Sequence, residues 1–169
     1  MAISAVSNAG PLMVFSKLNI LYLLKELYGQ VEVPLSVYRE TVTVGIRRGF
    51  PDAQTLNSFF IQNEWKPVRN IKVPSDLQVI NLDRGEKESI ALALSRNALL
   101  LMDEERGRAY ARHMNLCVRG SLGVLIEAYG KKLITENQLR FCFHQISERK
   151  DIWINPDLCA ALLKRLFER

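Results

Sequence analysis

The chain has 169 residues, of which 48% are hydrophobic and 24% are charged. This composition is typical of an ordinary globular protein and excludes a disordered chain. The net charge of +5 is compatible with nucleic-acid binding, although many proteins that bind none are equally basic. The three cysteines are too widely spaced for a disulfide framework, and no apolar run approaches the roughly 20 residues that span a bilayer. We therefore expect a soluble cytoplasmic protein.

Short apolar runs alternate with helical patterns along the first half of the chain. The predicted strands are residues 2–7 and 31–33, both rich in small or β-branched side chains. The predicted helices are 12–28, which ends at Gly29, then 34–48, which ends in two arginines, and 52–63. A short extended piece is expected over 65–68, and loops are expected over 49–51 and 70–75.

The second half continues the alternation. A helix is predicted from Asp83 to Asn97, and further helices over 104–114, 120–129, 135–149 and 155–167. Strands are predicted over 98–102 and 117–118, with a last extended piece over 152–154. Strands that alternate with helices predict an α/β protein with a parallel sheet covered on both faces. We expect a single domain over 1–169, with a core over about 3–130 and a C-terminal helical extension over about 135–169.

Three acids and one asparagine lie where such a sheet would gather them. Asp103 directly follows the buried run 99–102, and Asn8 follows the first strand. Glu40 lies on the helix after the second strand, and Glu86 lies in the first turn of the helix that precedes Asp103. Open α/β sheets bind their ligands at the carboxyl ends of the strands. Gathered carboxylates repel one another unless a cation neutralises them, and hard oxygen ligands suit Mg²⁺ or Mn²⁺.

Each of these residues also has a purely structural explanation. Asp83 and Glu86 have the spacing of a capping box at the start of a helix. Asp103 and Asn8 are good helix N-cap residues, and Glu40 could be an ordinary half-exposed helix residue. Taken singly, every position leaves both explanations open, and only their combination in this chain order favours a site.

Three arginines follow Asp103 and leave two interpretations open. Arg106, Arg108 and Arg112 could form a solvated face or could contact phosphate groups. We expect Glu88, Glu104 and Glu105 to be solvated charges. The chain contains no GxGxxG, no Walker sequence and no HExxH, and its two histidines are far apart, so the sequence does not favour a phosphate loop, a zinc site or a histidine triad.

Five segments in this order resemble the PIN-domain family, the fold of VapC-type toxin ribonucleases. The segments are 6–12 (VSNAGPL), 33–40 (VPLSVYRE), 82–93 (LDRGEKESIALA), 100–104 (LLMDE) and 120–125 (GSLGVL). The likeness covers about residues 3–130 and is nearest to a prokaryotic PIN-like subfamily of largely uncharacterised proteins. Each segment is weakly specific alone, whereas five in order at family-like spacing are fairly specific.

This resemblance implies a three-layer α/β/α domain with a short parallel sheet and a metal-dependent nuclease that acts on RNA. The acidic positions of the family fall on Asn8, Glu40, Glu86 and Asp103. The resemblance makes Glu86 and Asp103 ligands of Mg²⁺ or Mn²⁺, with Glu40 completing the shell or orienting the water, and it suggests that Ser121 hydrogen-bonds within the site. It further implies a toxin that forms a homodimer and is held inactive by a small antitoxin protein.

One departure from the family pattern matters for function. The family has an aspartate after the first strand, where this chain has Asn8. An asparagine keeps an oxygen ligand but removes one negative charge, which weakens metal binding. A catalytically weakened or inactive PIN-like module that binds RNA or a partner protein is therefore the alternative hypothesis. A nuclease that acts on DNA flaps is a third, which the small size of the chain does not favour.

Overall fold

A computed structural model describes residues 4–168 and contains a parallel sheet between helices. The strands are β1 (Ala5–Ser7), β2 (Val31–Glu32), β3 (Leu99–Leu101) and β4 (Val118–Arg119). The helices are α1 (Ala9–Lys17), α2 (Tyr22–Tyr28), α3 (Leu35–Tyr38), α4 (Gly45–Arg47), α5 (Pro51–Gln62), α6 (Ser75–Gln78), α7 (Arg84–Arg96), α8 (Glu105–His113), α9 (Ser121–Gly130), α10 (Glu136–Glu148) and α11 (Pro156–Phe167), and a π-helical turn (Arg39–Val44) lies between α3 and α4.

The four strands form one parallel sheet in the order β2-β1-β3-β4. Ala5 pairs with Val31 on one side and with Leu99 on the other, so β1 is a central strand. Parallel neighbours require crossover connections, and each crossover here is built from helices. The predicted α/β class with a short parallel sheet is confirmed.

Both faces of the sheet are covered, as a three-layer arrangement requires. Val6, Leu100 and Met102 belong to a core cluster with residues of α7 and α8, such as Ile90 and Ala111. The alternate strand residues Ala5, Leu99 and Leu101 point to the opposite face and are also at most 7% exposed. Because side chains on both faces are buried, the central strands β1 and β3 are apolar apart from Ser7 and do not alternate with polar residues.

The predicted helix over 12–28 is wrong in its middle, where the structure has two helices. Asn19 adopts a left-handed conformation with φ 56°, and the N–H of Ile20 donates to the Phe15 carbonyl at 2.9 Å. The N–H of Asn19 donates to the Ser16 carbonyl at 3.0 Å. These two bonds form the helix-ending motif in which asparagine commonly replaces glycine. The apolar spacing alone did not reveal the break.

Other differences are local. The predicted helix over 34–48 exists, but its centre follows π-helical hydrogen bonding. Helix α6 begins at Ser75, the last residue of the predicted loop over 70–75, and continues into residues for which no element was predicted. Residues 152–154, which were predicted to be extended, form no strand. The first strand was predicted over 2–7; Ser4 is not in a strand, and residues 2 and 3 lie outside the described part of the chain. The remaining predicted elements agree with the structure apart from small shifts at their ends.

The chain divides into two compact units, one that ends at Ser121 and one that begins at Leu122. The first unit contains the whole sheet. In the second unit, α10 begins with a capping box between Thr135 and Gln138, and the Arg140 guanidinium lies 4.4 Å from the centre of the Phe167 ring of α11. Within residues 4–168, no helix is long and apolar enough to cross a membrane.

Candidate active site

The carboxyl ends of β1 and β3 bring two of the predicted site residues to one edge of the sheet. Ser7 pairs with Leu101, and the next N–H along β1, that of Asn8, donates to the Leu101 carbonyl at 2.9 Å. Asp103 follows two residues after Leu101, while Asn8 begins α1. The first turn of α1 touches Asp103, because a Cβ built at Gly10 would lie 3.2 Å from Asp103 Oδ2.

Asp103 is held by Ser121, as the sequence suggested. The Ser121 N–H donates to Asp103 Oδ1 and the Ser121 hydroxyl donates to Oδ2, each at 2.6 Å. Ser121 is fully buried, whereas Asp103 keeps part of its surface open to solvent. Burial raises the pKa of Asp103, and the Ser121 hydrogen bonds and the Arg108 charge oppose that rise. Two donors therefore fix the orientation of a carboxylate at the sheet edge.

Glu86 is both a helix cap and a buried acid. The Asp83 N–H donates to Glu86 Oε2 at 2.8 Å, and the Glu86 N–H donates to Asp83 Oδ1 at 2.8 Å, which completes the capping box. Glu86 is only 7% exposed. Burial raises its pKa, the hydrogen bond from Asp83 opposes the rise, and the negative charges of Asp83 and Glu104 add to it. Glu86 is therefore part of a capping box, as its spacing from Asp83 predicted. The capping role alone does not explain why a second acid, Glu104, lies beside it.

Glu40 lies in the π-helical turn and approaches the start of α7. A Cβ built at Gly85 would lie 3.6 Å from Glu40 Oε2 and 3.4 Å from Asp83 Oδ1. Glu40 stays exposed to solvent. Partial burial of its carboxyl, followed by repulsion from Asp83, raises the pKa of Glu40. Glycine at position 85 leaves the space in which Glu40 and the start of α7 come together.

Asn8 faces α7 rather than capping its own helix. Its side chain makes no capping hydrogen bond to α1. Asn8 Oδ1 lies 3.4 Å from the Ser89 hydroxyl, which donates at 2.7 Å to the Gly85 carbonyl. Asn8 is 7% exposed and therefore buried beside the helix that carries Glu86. The capping explanation does not account for this amide.

Glu104 is exposed, as expected, but the sequence did not indicate that it lies beside Glu86. The same expectation is wrong for Glu88, which is only 8% exposed. Glu104 Oε2 accepts a hydrogen bond from the Gly107 N–H at 2.8 Å, which caps α8. Its carboxyl also lies beside Glu86 and contributes to the raised pKa of that residue. The spacing of Glu104 and Gly107 could have predicted the cap, but no sequence signal indicates the approach to Glu86.

The three arginines predicted to bind RNA have different surroundings. Arg106 is exposed, and Arg112 lies 3.7 Å from Glu105 in an exposed ion pair. Arg108 instead lies near Asp103, because a Cβ built at Gly120 would lie 2.7 Å from Arg108 Nη1 and 3.0 Å from Asp103 Oδ1. The predicted RNA contacts of Arg106, Arg108 and Arg112 stay predictions.

The donors fit a hard divalent cation by their chemistry. Asn8, Glu40, Glu86 and Asp103 offer only oxygen atoms, the ligands that Mg²⁺ and Mn²⁺ prefer. A carboxylate accepts about four hydrogen bonds, so Glu86 and Asp103 keep acceptor capacity beyond their present partners. Among residues 4–168, no three Asp, Glu, His or Cys side chains lie close enough together to hold an ion as they stand. Side-chain rotation would have to bring them together around a cation.

Comparison with known families agrees with this geometry. A family model described as a PIN domain matches residues 4–168, so the chain belongs to the PIN-domain family. PIN domains are in general metal-dependent nucleases, that is, hydrolases that use divalent ions. A search of curated proteins finds no match to the chain. The family assignment made from the five sequence segments is confirmed.

Proposed function

We propose that the protein is a metal-dependent endoribonuclease that hydrolyses RNA phosphodiester bonds and acts as the toxin of a prokaryotic toxin–antitoxin pair. The observation that carries the proposal is the pair Glu86 and Asp103, two carboxyls with raised pKa at one edge of the sheet of a PIN domain. Groups whose pKa is shifted by burial and by neighbouring charges are common at functional sites. The toxin role rests on the resemblance to VapC-type proteins.

In this proposal Glu86 and Asp103 are the principal ligands of Mg²⁺ or Mn²⁺. The ion supplies a water of lowered pKa and neutralises negative charge that grows on the phosphate. Ser121 presents Asp103 in one orientation, because its N–H and hydroxyl occupy one lone pair on each carboxylate oxygen. Asn8 adds a neutral oxygen ligand from the side of β1.

Glu40 has the position of a residue that orients the attacking water. Its carboxyl borders the start of α7 and remains open to solvent, and its raised pKa makes it a better proton acceptor than an ordinary glutamate. In this role Glu40 Oε2 accepts a hydrogen bond from the water, or the carboxylate completes the metal shell. Both roles require the ionised form at the pH of the reaction.

The second candidate is a catalytically weakened PIN-like module that binds RNA or a partner protein. Two observations favour this candidate. Asn8 contributes no negative charge to the site. Among residues 4–168, no three Asp, Glu, His or Cys side chains lie close enough together to hold a metal ion. Such a module would keep the fold and the RNA-binding surface and would cleave slowly or not at all.

A cleavage assay separates the two candidates. Purified protein is incubated with a labelled single-stranded RNA, or with DNA of the same sequence, in Mg²⁺, Mn²⁺ or EDTA. The proposed function predicts RNA cleavage that requires the ion and is lost in Glu86→Gln. RNA binding without cleavage in any ion would support the second candidate, and cleavage of DNA in preference to RNA would contradict both.

The antitoxin and the homodimer are proposals that follow from the resemblance alone. Light scattering of the purified protein tests the dimer, because the mass of one chain is 19.3 kDa. Co-expression with the adjacent small open reading frame tests the antitoxin, since growth inhibition by the toxin should then be relieved. Inhibition that persists on co-expression would contradict this antitoxin, and inhibition that never occurs would contradict the toxin role.

A further inference from the structure

Arg108 lies on a helix of exposed arginines, yet its guanidinium turns towards the acidic site. A Cβ built at Gly120 would lie 2.7 Å from Arg108 Nη1 and 3.0 Å from Asp103 Oδ1. The guanidinium and the carboxylate therefore border the same small space. That space exists only because residue 120 has no side chain, since any Cβ there would displace the Arg108 head group.

Hydrogen bonding does not explain why Arg108 lies there. Its Nε is buried and has no hydrogen-bond partner among residues 4–168. A buried donor without a partner costs free energy, which something else must offset. The negative charge of Asp103 attracts the guanidinium, and the same attraction works against the rise that burial imposes on the pKa of Asp103.

We propose that Arg108 is a resident counter-cation of Asp103 that competes with the divalent ion for this carboxylate. It is a positioning residue and not a surface contact for RNA. The proposal rests on the proposed function only in placing the ion at Asp103. The positive charge of the guanidinium opposes the approach of a divalent ion.

Two features of the chain then weaken metal binding in the same way. Asn8 removes a negative charge from the site, and Arg108 adds a positive charge beside Asp103. The same guanidinium stabilises the ionised carboxylate when no metal is bound, so the metal-free protein is favoured. The expected consequence is a site that fills only at a high concentration of the ion.

The test is calorimetric titration of Mn²⁺ and Mg²⁺ at pH 8 into four proteins: the natural chain, Arg108→Gln, Arg108→Lys and Arg96→Gln. Arg96 is a matched control, because it is an arginine of the same unit that pairs with Glu32 at 2.9 Å at the far end of α7. Removal of a unit charge about 6 Å from a divalent ion should tighten binding about tenfold through a water-like dielectric. Arg108→Lys and Arg96→Gln should bind the ion as the natural chain does.

Arg108→Met provides a second neutral variant in case Arg108→Gln does not fold. The methionine loses no hydrogen bond at the Nε position, because that atom has no partner. Tighter binding in either neutral variant, with none in Arg108→Lys, supports the proposal. If the natural chain binds the ion and the neutral variants bind it equally or more weakly, the proposed role of Arg108 is overturned and the metal site is not. An Asn8→Asp variant, which restores a carboxylate after β1, is titrated in the same way. No binding by any of these proteins overturns the metal site and this role of Arg108 together.

Discussion

Asp103 and Glu86 lie at one edge of the same sheet, but their surroundings have opposite character. Asp103 accepts two short hydrogen bonds from Ser121 and has the Arg108 guanidinium nearby. Glu86 accepts a hydrogen bond from the Asp83 N–H, and the acids Asp83 and Glu104 are its charged neighbours. At Asp103 the Ser121 donors and the Arg108 charge partly offset the effect of burial, whereas at Glu86 the neighbouring negative charges add to the effect of burial.

This difference shows where a cation is needed most. The Asp103 side supplies its own donors, so its carboxylate is ordered before any ligand arrives. On the Glu86 side, burial and then repulsion from the Asp83 carboxylate raise the pKa values of Glu40 and Glu86. A divalent ion would relieve that repulsion, and it would meet the preorganised oxygen atoms of Asp103 on its other side.

The largest expected effect is the loss of RNA cleavage in Asp103→Asn. The substitution removes the ordered negative charge and presents an amide N–H₂ to one of the two Ser121 donors. Cleavage should fall by about 100-fold or more, the scale on which loss of a principal electrostatic group acts. Asp76→Asn on the exposed face of α6 is the control and should cleave at the natural rate. Unchanged cleavage in Asp103→Asn would remove this residue from the site.

Ser121→Ala tests the Asp103 side through stability. The variant loses the hydroxyl bond to Asp103 Oδ2 and keeps the N–H bond to Oδ1. A hydrogen bond to a charged group contributes about 2 kcal/mol, so urea unfolding should show a loss of about that size. Ser95→Ala removes a hydroxyl that donates to the neutral Leu92 carbonyl and should lose about 1 kcal/mol or less. An equal loss in both variants would deny that the Asp103 charge matters.

The Glu86 side predicts a pH dependence of stability in the metal-free protein. Burial raises the pKa values of Glu40 and Glu86 above 4.5 in the folded chain. The folded state then holds these protons more tightly than the unfolded chain does. Their contribution to stability is complete below pH 4.5 and is lost as the pH rises through the raised folded pKa values.

The measurement is the urea midpoint of the metal-free protein at about pH 5 and about pH 7.5. Glu86→Gln should be stabilised relative to the natural chain at the higher pH, and the difference should shrink at the lower pH. The exposed Glu105→Gln serves as the control and should show no such pattern. A Glu86→Gln variant that is less stable at both values would mean that the cap outweighs the opposed charge.

The smallest expected effect separates the two roles of Asp83. Asp83→Ala removes the side-chain cap of α7 and should cost about 1 kcal/mol, while Asp83→Ser keeps a capping oxygen and should stay within about 0.5 kcal/mol of the natural chain. Both substitutions remove the charge that raises the pKa values of Glu40 and Glu86. Thermal unfolding of the two variants measures the difference. Equal losses in the two variants would mean that the Asp83 charge, and not the cap, stabilises the helix start.

Much of the fold follows from sequence patterns that are strong and local. The run before Asp103 and the Asp83–Glu86 spacing predicted β3 and the start of α7, because burial and capping impose short-range rules. The break at Asn19 was missed, since a left-handed residue in an apolar stretch leaves the helical spacing almost intact. The π-helical turn that carries Glu40 was missed because α-helical and π-helical hydrogen bonding cannot be distinguished from the residue types alone.

For the candidate site, the sequence indicated which residues share an edge of the sheet, but not which of their side chains lie close to one another. The order of strands placed Asn8 and Asp103 at one edge, which needs only topology. The approach of Glu104 to Glu86 and of Arg108 to Asp103 depends on which way a side chain leaves its helix. Spacing along one helix does not fix that direction relative to another element, so both residues were assigned to solvent or to RNA.

The most direct test of the proposed metal site is a calorimetric titration of Mn²⁺ into the natural protein and, in parallel, into Asn8→Asp. We expect saturable binding by the natural protein, through Glu86 and Asp103 with the Asn8 oxygen, and tighter binding once a carboxylate replaces the amide. Binding by Asn8→Asp alone would mean that the natural site has lost its metal and that the binding module is the better description. An absence of binding in both proteins would contradict a metal site at this edge of the sheet.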